Sequence, residues 1–159
     1  MSPTEKQTEE EQQRDSPSRE QLRAHRQIFW DAWQRAKDGL PLDAMQVRIA
    51  RVIEMHPEHH HFFDDLEDFL ERDFHVDDGM NPYLHLSLHL ALEEQVATRQ
   101  PPEVASALDH MMNTKGISRH DALHTILEIL AESVYYAQRE GRDPDVLQYL
   151  TRVKELMQK

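Results

Sequence analysis

The chain has 159 residues, enough for one ordinary domain with its own core and no need of covalent staples. It has no cysteine, which excludes disulfides, thiolate zinc sites, iron–sulfur clusters and cysteine nucleophiles, so any metal must be held by nitrogen and oxygen. A formal net charge of −12 with no Lys/Arg cluster argues against nucleic acid and anionic membranes as partners.

Residues 1–17 are polar, charged and almost without large apolar groups, and are expected to form a disordered tail. They have neither the basic start nor the apolar centre of a signal peptide, and no apolar run in the chain approaches the roughly 20 residues of a membrane span. A cytoplasmic protein is the expectation, with residues 18–159 as a single helical domain. Ser18 and Gln21 have the spacing of a capping box and open a helix carrying Leu22, Ile28, Phe29, Trp30 and Trp33, which Gly39 can end. Pro41 and Asp43 introduce a second helix to about Met55, with Met45, Ile49, Val52 and Ile53 on one face. Pro57 kinks or restarts it, and a third segment to about Phe74 carries Phe62, Phe63, Leu66, Phe69 and Leu70 at helical spacing.

Asp77-Asp78-Gly79 is a turn signal, and Asn81-Pro82 starts a helix to about Thr98. Pro101-Pro102 ends it and begins a short helix to about Asn113. Lys115-Gly116 makes a turn, and Ser118 with Asp121 starts a long helix that stops at Gly141. Asp143-Pro144 precedes a last helix. No segment alternates as a strand does, so the fold class expected is all-α, an antiparallel bundle of about six to seven helices.

The eleven histidines are the compositional outlier. Residues 81–94, NPYLHLSLHLALEE, place His85, His89 and Glu93 at i, i+4 and i+8. With His85 at zero on a helical projection, Leu92 and Val96 fall within about 20° of it, while His89 and Glu93 fan out to about 40° and 80°. The histidines therefore share the apolar face. His120, His124 and Glu128 repeat the spacing, with Leu127 and Ala131 within about 20° of His120. Ile129 interrupts what would be the solvent side of that helix. A third copy reads His56, His60 and Asp64, although Pro57 breaks the helix there and the aromatic face favours His59 over His60. Scattered at random, this many histidines would give such a triplet only about 0.1–0.2 times, and three occur.

Two histidines one turn apart aim their imidazoles at one point, as metal-binding helices do. A carboxylate a further turn on can bridge two ions or orient a histidine through its other ring nitrogen. Helices that each supply His and Glu to a bundle interior follow the plan of dinuclear carboxylate–histidine proteins. Burying so many ionisable groups without a metal costs several kcal/mol for each unsatisfied one, on the order of 2–7. The competing reading is a core of hydrogen-bonded histidines, the usual fate of a single histidine on an apolar face. His25 and His75 read as surface residues, and the tryptophans and methionines as packing.

At HPEHH, NPYLHLSLHLALEEQ and RHDALHTILEILAESVYYAQREGR the chain resembles a family of small proteobacterial proteins catalogued as a domain of unknown function. The family pattern, HPExH, NP-aromatic-LHxxxHxxxxEQ and RHxxxH, falls on His56 and His60, His85 and His89, and His120 and His124. The resemblance tips the choice to His60 over His59 and implies no activity. Haemerythrin-like and DinB-like metal bundles are similar in site logic only. The expected function is thus a His/Glu-rich dinuclear or multinuclear centre, with a divalent transition metal, iron before zinc or manganese, and an oxygen-related, redox or metal-sensing role. A metal storage or delivery module and a structural bundle with core histidines are the alternatives. Metal ions are the expected partners, with a homo-oligomer admissible.

Overall fold

The computed structural model describes residues 18–73 and 81–158. The expected disordered tail, the Asp77-Asp78-Gly79 turn and His75 lie outside the described residues. Seven α-helices and one 3-10 helix account for the regular structure described, and the class is all-α. None of the described helices is long and apolar enough to cross a membrane. The chain divides into two compact units, Met1–Asn81 and Pro82–Lys159.

In the first unit, α1 (Arg19–Lys37) opens on Ser18 with both reciprocal bonds of the capping box formed. It ends where Gly39, at φ +67°, takes the left-handed conformation that an L side chain resists. That turn lets the Leu40 N–H donate back to the Arg35 carbonyl at 2.9 Å. A second capping box, Asp43 with Gln46, opens α2 (Ala44–Glu54). Pro57 then changes the backbone: residues Pro57–Phe63 form a 3-10 helix in place of the α-helical segment expected, and α3 is confined to Leu66–Glu71. Proline cannot donate the bond that would carry α2 forward, and the chain restarts in the tighter form. Phe29, Ile49, Ile53 and Phe69 are fully buried here. Trp30 covers them, its ring 5.3 Å from Phe69 and 6.3 Å from Phe63. Arg26 donates to the Leu70 and Arg72 carbonyls, closing the C-terminal end of α3 against α1.

The second unit consists of α4 (Pro82–Thr98), α5 (Pro102–Asn113), α6 (Arg119–Glu140) and α7 (Val146–Glu155). Pro82 begins α4 as the sequence predicts, Ser118 caps α6 through the Asp121 N–H, and Gly141 ends α6 at φ +64°. Leu92, Val104, Leu123, Ile126 and Val153 are buried in one core drawn from all four helices. Ile129, which broke the solvent side of α6 on paper, is 7% exposed. It belongs to the same core as Tyr149, so α6 has a second packed face, against α7.

Tyr149 supplies the first test of this packing. Its hydroxyl donates to Gln95 Oε1 at 3.1 Å, and burial pushes its pKa from 10.0 up to about 12. A raised folded-state value means that the contribution to stability is complete below pH 10.0 and is lost as pH rises towards 12. An ultraviolet titration should show late tyrosine ionisation, and Tyr149→Phe should reduce its amplitude by one tyrosine. A titration unchanged by the substitution would contradict the buried position.

Candidate metal centre

The site is built on α4 and α6, which the second unit packs against each other. Four side-chain pairings fix their register. His85 faces His124 with ring centroids 5.3 Å apart, His89 lies 5.4 Å from His124 and 6.2 Å from His120, and Glu93 meets Arg119. Moving forward along α4 therefore means moving backward along α6, and the two helices run antiparallel. Because each helix turns once in about 3.6 residues, the i, i+4 histidines of each meet those of the other in successive layers. The face predicted for the histidines is the face on which they lie. In α4 the apolar residues surround them, since Leu86, Leu88 and Leu92 are buried on several sides of this helix.

One ligand atom from each of His89, His120 and His124 lies within 4.8 Å of the others. His89 is fully buried, while His120 and His124 are half-buried. The His120 and His124 rings stand 4.1 Å apart, one turn separated on α6. Three imidazoles at these separations could hold a metal ion. A tetrahedral ion about 2.1 Å from each nitrogen would set them about 3.4 Å apart, within reach of small side-chain rotations. His85 joins the group through His124 and stands 6.2 Å from His89.

The carboxylates expected at i+8 are placed differently from one another. Glu93 Oε1 lies 4.0 Å from His89 Nδ1, beyond a hydrogen bond but facing that nitrogen. Both Glu93 oxygens accept from the Arg119 guanidinium, Oε1 from one Nη at 2.9 Å and Oε2 from the other at 2.8 Å. This bidentate bond holds the arginine pKa above its ordinary value, with the hydrogen bond as the largest cause. Glu128 is exposed, a turn beyond the layer of His124 and His85. Of the two roles the spacing allows a carboxylate, the geometry of Glu93 suits the orienting one.

Within the first unit, His56 and His60 are each held by local contacts. His56 is fully buried and its Nδ1 lies 2.6 Å from the Val52 carbonyl, the arrangement that leaves Nε2 as the basic nitrogen of a neutral ring. The 3-10 backbone has about three residues per turn, so the residue on the face of His56 is His59, stacked at 5.9 Å and 18°. Burial pushes the His59 pKa down. His60 Nε2 donates to the Ile53 carbonyl at 2.7 Å and its ring packs 4.8 Å from Trp33. Asp64 follows the 3-10 helix as its exposed C-cap. The i, i+4, i+8 geometry assumed for this segment does not form.

Arg119 is the residue that the spacing of histidines did not reveal. Its signal was charge: a glutamate on a leucine-lined face needs a cation, and Arg119 precedes His120 at the first turn of the facing helix.

The model of a protein family described as a domain of unknown function (DUF1841) matches residues 18–155. No curated protein and no solved structure matches the chain.

Proposed function

We propose that this chain, which belongs to the DUF1841 family, holds a divalent transition-metal ion between α4 and α6, with His89, His120 and His124 as imidazole ligands. The observation that carries the reading is the convergence of those three ligand atoms to within 4.8 Å. The full burial of His89 supports it, since placing an imidazole among leucines is costly unless something organises it. His85 is the next ligand candidate. His56 stays a candidate on its burial and on the carbonyl that sets its ring. For His60, the hydrogen bond to Ile53 and the packing on Trp33 favour a structural role.

The donor set supports one ion better than two. A second ion needs bridging carboxylates, and Glu93 is held by Arg119 while Glu128 lies exposed. Imidazole nitrogens suit borderline first-row ions, iron and zinc first among them. With iron the site would serve redox or oxygen-sensing chemistry; with a redox-inert ion it would serve metal sensing or storage.

Multi-element analysis of tag-free protein, purified without chelators or nickel resin, should find about one metal equivalent per chain. Less than about a tenth of an equivalent, with a melting temperature unmoved by Fe(II), Zn(II) or Mn(II), would remove the metal reading. Absorption spectra recorded with and without air then separate the two uses, because only a redox-active centre changes its bands.

A further inference from the structure

The histidines of α4 and α6 form a ladder whose two ends present opposite charges to water. Antiparallel packing orders its steps: Glu128 at one end, then His85 with His124, then His89 with His120, and Arg119 with Glu93 at the other. His124 belongs to two steps at once, its ring 5.3 Å from His85 and 5.4 Å from His89 and nearly perpendicular to both. His89 is fully buried while His85, His120 and His124 are half-buried, so an ion arriving from water meets one of the latter rings first. At the Arg119 end the more exposed member of the pair is the cation, with the arginine side chain 43% exposed and the glutamate 21%. At the opposite end Glu128 is exposed, and among the described residues it has no ion-pair partner. Glu132, a turn further along α6, is held by Arg152.

We infer that a hydrated divalent ion enters and leaves the centre from the Glu128 end: Glu128 draws it in, and His85 with His124 forms a transit site that hands it to His89. This rests on the metal reading above. An exposed carboxylate attracts a cation from solution and an exposed guanidinium turns one away, so the two ends differ in the rate at which they admit it. Each step is a ligand exchange. An imidazole nitrogen takes the place of a bound water, which returns to solvent; His124 then keeps its bond while His85 gives way to His89. No electron moves, and the route operates whichever groups complete the shell of the resident ion. A transit site lowers the barrier in both directions, so its loss slows uptake and release together and leaves their ratio nearly unchanged.

Cobalt(II) is a suitable probe, because its visible bands report coordination and can be followed by rapid mixing. Uptake of cobalt(II) by the full chain, and its loss to a saturating chelator, give the two rates. Glu128→Gln should slow both by about threefold to tenfold, the scale of removing one steering charge, with a dissociation constant within about threefold of wild type. That deficit should shrink as added salt screens the carboxylate. His85→Ala should slow both rates by at least about tenfold and lose far less affinity than His124→Ala. Asp109→Asn, which removes an exposed carboxylate of α5 held by Arg99, should leave the rates alone. Because Glu128 is exposed, its substitution leaves folding intact, and the test does not depend on the His85 variant. Rates within about twofold of wild type in either variant, or a His85→Ala affinity as weak as that of His124→Ala, overturn the transit site while leaving a metal centre in place. Wild-type protein that takes up no cobalt(II) overturns the metal reading itself, and this inference with it.

Discussion

With the proposed ion bound, His124→Ala should lower the affinity of the chain for it by about two to three powers of ten. The magnitude follows from sharing the roughly 10–16 kcal/mol of a four-ligand zinc site among its ligands, about 3–4 kcal/mol each. His124 is the best position for the experiment. It touches the rings of both His89 and His120, and it is only half-buried, so its removal leaves a smaller void than removal of His89. His89→Ala should lose the metal as well, but it also empties a fully buried position, and the resulting loss of stability would confuse the result. His61→Ala is the control: its exposed ring packs 4.0 Å from Phe62 and takes no part in the site. Competition against a chromophoric chelator measures all three. An affinity for His124→Ala within about threefold of wild type, a difference under about 1 kcal/mol, would show that the imidazoles of α4 and α6 do not share an ion.

That the α4–α6 histidines meet was legible in the sequence, for a simple reason. Both helices are long, uninterrupted and strongly periodic, so a spacing of four converts directly into a shared face. The caps of α1, α2 and α6 were equally readable, since Ser18, Asp43 and Ser118 each carry a local bond that needs no tertiary context. The segment after Pro57 was not. A spacing of four has meaning only on an α-helix, and the proline substituted a 3-10 helix in which position i+3 lies beneath position i. His59 accordingly stacks on His56, while His60 turns to Trp33. The fate of the carboxylates was hidden for another reason. Glu93 and Glu128 occupy equivalent places in their own helices and differ only in what the neighbouring helix sets opposite them. Antiparallel packing brings Arg119 to one and solvent to the other. A single-helix projection contains no information about that. The second packed face of α6 was likewise visible only as an anomaly at Ile129, until Tyr149 and α7 accounted for it.

Ile126→Ala tests whether the fold of the second unit and the site are thermodynamically one object. Ile126 is fully buried in the core shared by α4, α5, α6 and α7, two residues along α6 from His124. Truncating it should cost about 2–5 kcal/mol, the usual range for a large aliphatic side chain with partial collapse of the cavity. A unit of this length loses about 4–8 °C of melting temperature per kcal/mol, so a fall of at least about 8 °C is expected by circular dichroism. Adding the ion at about a hundred times its dissociation constant should return about 2.7 kcal/mol, because only the folded state holds the three imidazoles together. The return should be nearly the same in wild-type and Ile126→Ala protein if the substitution leaves the ligands in register. It should vanish in His124→Ala. If Ile126→Ala instead melted at the same temperature with and without the ion, the packing of α6 would be what aligns the ligands, and its loss would separate the histidines before the chain unfolds.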